Sequence, residues 1–86
     1  MRNLEFDPKA FDDLAWWIEQ DRKKVLQIMK LIRAVQREPY TGLGQPELLK
    51  HQFSGCWSRR IDHEHRLVYE VHETKIVILA CRFHYT

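Results

Sequence analysis

The second half of the chain carries the feature that most limits how it can fold: a run of closely spaced strand signals, WSRRIDHEHRLVYEVHETKIVILACRF, residues 57–83. β-Branched and aromatic residues recur there with a period near two, and the interruptions at residues 62–64 and 72–74 are short and polar. Parallel strands need a crossover of a dozen or more residues, so strands joined by turns this short must be antiparallel. The spacing predicts strands over residues 56–61, 65–71 and 75–83, and a shorter one over 48–53 ahead of the turn Ser54-Gly55. KIVILACRF is apolar at nearly every position, the pattern of an internal strand covered on both faces. Continued alternation would put Ile76, Ile78 and Ala80 on one face with Arg82 and His84.

The first half follows another period. After a short strand signal, RNLEF, Asp7-Pro8 reads as a helix start, with Asp as N-cap and Pro at the first helical position. Phe11, Leu14, Ala15 and Ile18 then make an apolar stripe. Asp21 caps a second helix whose stripe is Val25, Ile28, Met29, Ile32 and Val35, with Lys and Arg opposite. EPYTGLGQPE, residues 38–47, breaks the pattern with Pro and Gly and reads as a loop. The expected architecture is α+β: one N-terminal strand, two helices, then a run of antiparallel strands forming a sheet with the helices packed on one face. At 86 residues this is one domain, 1–86, with a modest core, since a chain of that length buries only about 60–65% of its unfolded surface.

The formal charge of +2 is too small to hold a polyanion by charge alone, so any anion site must be local. The opening residues lack the apolar core of a secretory signal, and no apolar run approaches the roughly 20 residues of a membrane span. These features predict a cytoplasmic protein without a membrane partner, in which Cys56 and Cys81 stay reduced.

All five His lie in the second half, alongside Arg59, Arg60, Arg66 and Arg82. Adjacent strands can gather Arg66, Arg82 and His84, and Glu47 with Lys50 sits where the loop meets the sheet. A carboxylate, an imidazole and fixed guanidinium groups are the inventory for cleaving RNA through its own 2′-hydroxyl, with no metal and no cofactor. One group removes the 2′-OH proton, cations stabilise the charge on the phosphoryl oxygens, and an acid protonates the departing 5′-oxygen. Plainer readings stand beside this one. A His at a strand end is more often a surface or interface residue. Arg59 and Arg60 read as a solvated strand face with Glu70 as cross-strand partner, and Trp57 and Tyr69 as packing. Of Trp16 and Trp17 at most one can point inward. His63 and His65 form an H-x-H pair, but no spaced third ligand completes a metal site, and nothing marks a base beside either Cys.

QPELLKH, FSGCWSRRI, EHRLVYEV and the terminal ACRFHY together resemble the YoeB (Txe) branch of the RelE-type bacterial toxins; FDD and the PYTGLGQPE loop extend the resemblance over essentially the whole chain. The resemblance implies a RelE-like fold and the toxin of a type II toxin–antitoxin pair, a ribosome-dependent mRNA endoribonuclease (an mRNA interferase) that cuts the A-site codon and inhibits translation. It implies Glu47 as general base, His84 as general acid and Arg66 as stabiliser of the phosphate charge, with Lys50, Arg60 and Tyr85 supporting RNA binding. The implied partners are an antitoxin of the YefM or Phd kind, the bacterial ribosome with its mRNA, and a second copy of the chain. One departure is Thr86, one residue beyond the family's terminal His-Tyr. Two other functions remain open from the residues: a module that blocks its target by binding, as gyrase-poisoning relatives of this fold do, and a nuclease acting on free RNA.

Overall fold

A computed structural model describes residues 1–83. In chain order the elements are β1 (Asn3–Phe6), α1 (Pro8–Gln20), α2 (Arg22–Arg37), β2 (Glu47–Leu48), a 3-10 turn (His51–Phe53), β3 (Cys56–Arg60), β4 (Arg66–Val71) and β5 (Lys75–Ala80). One sheet has the order β1-β5-β4-β3-β2. Strands β2 to β5 form the expected antiparallel run. β1 joins it parallel to β5, from Asn3 opposite Lys75 to Phe6 opposite Ile78. β1 is separated from β5 by the helical pair and three other strands, so no short turn dictates its direction.

Both helix starts form as their sequences demand. The Asp7 carboxylate accepts from the Lys9 N–H at 3.4 Å, and that of Asp21 from the Lys23 N–H at 3.1 Å, satisfying donors that the first helical turn leaves open. Of the stripe expected on α1, Leu14 packs against the core, but the stripe is not the buried face. Phe11 is 64% exposed, Ile18 is 44% exposed, and the face that meets the sheet is Ala10, Asp13 and Trp17. A carboxylate in that row disguises it, because period alone reads Asp13 as an outward position. On α2, Ile28, Leu31, Ile32 and Val35 are buried, whereas Met29 turns outward.

Two strands, β2 and β5, also fall well short of their expected extent, and a third, β4, carries a bulge. β2 is reduced to Glu47–Leu48, and a 3-10 turn replaces the rest of that predicted strand. β5 stops at Ala80 rather than at 83, because the backbone beyond it bonds to side chains of other elements. β4 slips register between Val68, opposite Ala80, and Tyr69, opposite Ile78. The bulge re-aims the strand end nearest the residues discussed below.

The principal core lies between the helices and one sheet face, around Trp17, Ile28, Leu31, Leu67, Tyr69 and Ile78. Leu49, Cys56, Val68 and Ala80 make a smaller cluster on the opposite face. Cys81 belongs to the first cluster and Cys56 to the second, and both thiols are free. Among the described residues no helix is long and apolar enough to cross a membrane.

Candidate active site

The loop 38–46 delivers Glu47 to the sheet, and Arg59 holds that loop. Far from being solvated, Arg59 is 0% exposed. Its Nη2 donates to the carbonyls of Glu38 at 2.5 Å and Thr41 at 2.9 Å, its Nη1 to that of Leu43 at 2.9 Å, and its Nε to the Tyr69 hydroxyl at 3.1 Å. A loop without a ladder leaves carbonyls unpaired, and the guanidinium fork answers several from one side chain. The Tyr69 hydroxyl donates onward to the Pro39 carbonyl at 2.7 Å. Burial pushes the phenol pKa up against the opposing effect of Arg59, which keeps that donor protonated. Gly44 is required: its φ is +87°, and a Cβ there would meet Leu31 Cδ2 at 2.7 Å. Its carbonyl accepts from the Arg60 N–H at 2.7 Å, which seats the loop on β3.

Register then assembles a polar cluster on the sheet face away from the helices. Glu47 pairs with Ser58, and Arg60 with Arg66; directly paired residues project to the same side. Arg66 Nη1 lies 3.7 Å from Glu47 Oε2 and donates to Ser58 Oγ at 3.3 Å. The Arg66 side chain is 9% exposed and that of Glu47 63%. A buried, fixed cation thus faces a solvated carboxylate free to move. Arg60 and Arg66 are like charges directly opposed, an arrangement that disfavours the bare protein and that an anion would relieve. Lys50 and His51 follow β2 and line a shallow cleft of about 210 Å³ with Glu47, Leu48 and Leu49.

Arg82 does not join Arg66 on that face. Its guanidinium stacks over the Trp16 ring, 3.6 Å from the centroid, which accounts for the half-buried tryptophan beside the buried Trp17. Past β5 the backbone is held from four directions. The Asp13 carboxylate accepts from the Cys81 N–H at 3.0 Å, and Trp17 Nε1 donates to the Cys81 carbonyl at 2.7 Å. The Phe83 N–H donates to His65 Nδ1 at 2.8 Å, and the Phe83 carbonyl accepts from the Arg66 N–H at 2.9 Å. His84, Tyr85 and Thr86 lie outside the described residues.

Non-glycine residues with positive φ fall at the edges of this cluster: Gln45 at 54°, His51 at 59° and Phe83 at 71°. Such backbone is disfavoured for bulky residues and is kept only where the surroundings enforce it. The 62–64 turn that leads into β4 is fixed by Asp62, whose Oδ1 accepts from the N–H groups of Glu64 at 2.8 Å and His65 at 2.7 Å. Burial alone would raise its pKa, but those donors and the Lys24 ammonium at 3.0 Å outweigh it and hold the carboxyl below its usual range.

Of the residues singled out in the sequence, Glu47, Arg60 and Arg66 share one face, with Lys50 on the adjoining cleft. Glu70, expected opposite Arg59 or Arg60, pairs with Cys56 in the ladder and bonds His72 at 3.1 Å. Trp57 is partly buried against Tyr40. His65 Nδ1 is occupied by Phe83, and among the described residues no cluster of three His, Cys, Asp or Glu is arranged to hold a metal ion. Ser58, Asp13 and the structural role of Arg59 were missed. Ser58 was discoverable from alternation with Arg60; the other two depend on contacts distant in the chain.

The comparisons agree with one another. The profile of a family described as YoeB-like toxin of bacterial type II toxin–antitoxin system matches residues 6–85. A Mycobacterium bovis protein named Toxin YoeB is 47% identical over 85 residues, covering 99% of this chain and 100% of that one. The structure of a YoeB dimer from Staphylococcus aureus superposes with a TM-score of 0.90 at 42% identity, over 98% of both chains. A heterotetrameric YoeB–YefM toxin–antitoxin complex from the same organism does so with a TM-score of 0.88 at 42% identity, over 99% of both.

Proposed function

The chain belongs to the family of YoeB-like toxins of bacterial type II toxin–antitoxin systems, and from that premise we propose that it is an endoribonuclease that cuts mRNA in the ribosomal A site without a metal ion. The observation that carries this reading is the buried Arg66 guanidinium, set between the Glu47 carboxylate and the Ser58 hydroxyl on an open sheet face. Phosphate oxygens are the ligands that a fixed guanidinium fork suits best, and the opposed Arg60 adds a second cation.

Glu47 takes the 2′-hydroxyl proton, its exposure allowing it to leave Arg66 for the substrate. The freed oxygen attacks the adjacent phosphorus in line. Arg66 stabilises the charge that grows on the phosphoryl oxygens, and His84 protonates the departing 5′-oxygen. Lys50, Arg60 and Tyr85 bind the RNA. The role proposed for His84 is supported by its position in the sequence: it follows Phe83, whose carbonyl accepts from the Arg66 backbone N–H.

A small net charge suits this function. A nuclease to which the ribosome presents its substrate needs local cations rather than a polycationic surface. We further propose that the toxin acts in the cytoplasm, forms a homodimer, and is neutralised by an antitoxin of the YefM or Phd kind. The dimer and the YoeB–YefM complex of its relatives support the last two.

Incubation of the purified toxin with a short mRNA, with and without programmed ribosomes, tests the proposal. We expect cleavage at the A-site codon only when ribosomes are present. Equal cutting of naked RNA would overturn ribosome dependence, and growth arrest with intact messages would replace the nuclease reading with target blocking by binding.

A further inference from the structure

We infer that His65 is a positioning residue whose neutral imidazole accepts the Phe83 N–H past the end of β5 and so fixes the Phe83 backbone. The inference rests on the nuclease reading above only for its consequence in catalysis; the clamp itself is a matter of structure.

Phe83 has a conformation that its own residue type does not favour. Its φ is 71°, in the left-handed region, and its ring is half exposed, so apolar packing does little to hold it there. It also lies beyond the end of β5, outside the regular ladder. Its ring meets the Arg82 guanidinium at 4.4 Å and the Lys9 ammonium at 5.7 Å from the centroid, and its backbone makes two hydrogen bonds, one to the Arg66 N–H and one to His65 Nδ1. The first comes from the backbone of Arg66, whose own guanidinium is proposed to bind phosphate. The second depends on a side chain, so it can be removed without touching the backbone.

Because the Phe83 N–H donates to Nδ1, that nitrogen must carry a lone pair, and the neutral ring bears its proton on Nε2. The side chain is 11% exposed, and its ring stands edge-on to Trp17 with centroids 4.8 Å apart. Trp17 in turn donates to the Cys81 carbonyl, so one aromatic pair fixes the segment at two points. His65 itself is set by its own N–H, which donates to Asp62. Each of these contacts fixes Phe83, the residue to which the proposed acid His84 is joined in the sequence. Effective acid catalysis requires placement within a few tenths of an ångström, and a misplacement of about 1 Å can lower a rate by about a hundredfold.

Two variants separate the acceptor from the ring. His65→Phe keeps an aromatic against Trp17 but has no acceptor; His65→Asn gives up the ring but keeps an oxygen that can take the Phe83 N–H. We expect His65→Phe to lower kcat on programmed ribosomes by about 10- to 100-fold with KM little changed, and His65→Asn to recover most of that loss. Amide hydrogen exchange provides a readout independent of cleavage: the Phe83 N–H should be protected in wild type and in His65→Asn and exposed in His65→Phe. Wild-type cleavage by His65→Phe, or loss of activity by His65→Asn equal to that of His65→Phe with both variants folded, would overturn the inference. So would a Phe83 amide that exchanges freely in wild type. If wild type cuts nothing on ribosomes, the nuclease reading fails, and the exchange pattern still decides the clamp.

Discussion

At the scale of single residues, three arginines that look alike in sequence do different work. Arg66 faces the open side with its charge available, Arg59 is consumed by carbonyls, and Arg82 lies on Trp16. Arg66→Lys, which keeps the charge but loses the planar fork, should lower the cleavage rate by about a hundredfold while leaving thermal stability near wild type; single-turnover rates and melting curves check both halves. The cysteines offer a contrast. Burial, reinforced by the nearby Asp13 carboxylate, pushes the Cys81 thiol up to about 12, and burial also raises Cys56. Since the thiolate is the reactive form, both should resist a disulfide reagent at pH 8 in the folded protein and react promptly in denaturant. Fast labelling of either in the native state would contradict the packing described. At this scale the sequence was partly legible: Glu47, Arg60 and Arg66 could be named from residue chemistry and from a family resemblance, but no local pattern distinguishes an arginine aimed at solvent from one that ties down a loop.

Among the elements, the loop 38–46 and the 62–64 turn decide where the site residues stand. Arg59→Met should strand the carbonyls of Glu38, Thr41 and Leu43. A loss of about 2–4 kcal/mol in stability is expected, with new protease cleavage inside the loop. Asp62 gives a pH signature. Its folded pKa lies below the ordinary carboxylate value, so its contribution is fully present above about pH 4 and fades as the pH falls through the folded value. Asp62→Asn should therefore be less stable than wild type at pH 7, and the gap should close toward pH 2–3, as urea midpoints would reveal. The helix starts and the antiparallel run were readable because caps and short turns act locally. The buried face of α1 was not, because it contains Asp13, whose reason for being inside is a backbone amide 68 residues away. Likewise β5 ends at Ala80 because side chains from α1 and the β3–β4 connection take over its hydrogen bonds, which no property of KIVILACRF announces.

The molecule as a whole separates stability from chemistry by sheet face. The helices and the larger core occupy one side, and Glu47, Ser58, Arg60 and Arg66 occupy the other, on β2, β3 and β4. This layout allows substitutions at Glu47 or Arg60 that leave folding nearly untouched, since such surface changes usually stay within about 0.5 kcal/mol. The proposed reaction turns on one phosphodiester whose own 2′-hydroxyl is the nucleophile. The most direct measurement places a single 2′-deoxynucleotide on the 5′ side of the scissile bond in an mRNA loaded on ribosomes. The account predicts complete resistance of that message, with the all-ribose control cut to a 2′,3′-cyclic phosphate end. Cleavage of the deoxy-substituted message at the control rate would contradict it.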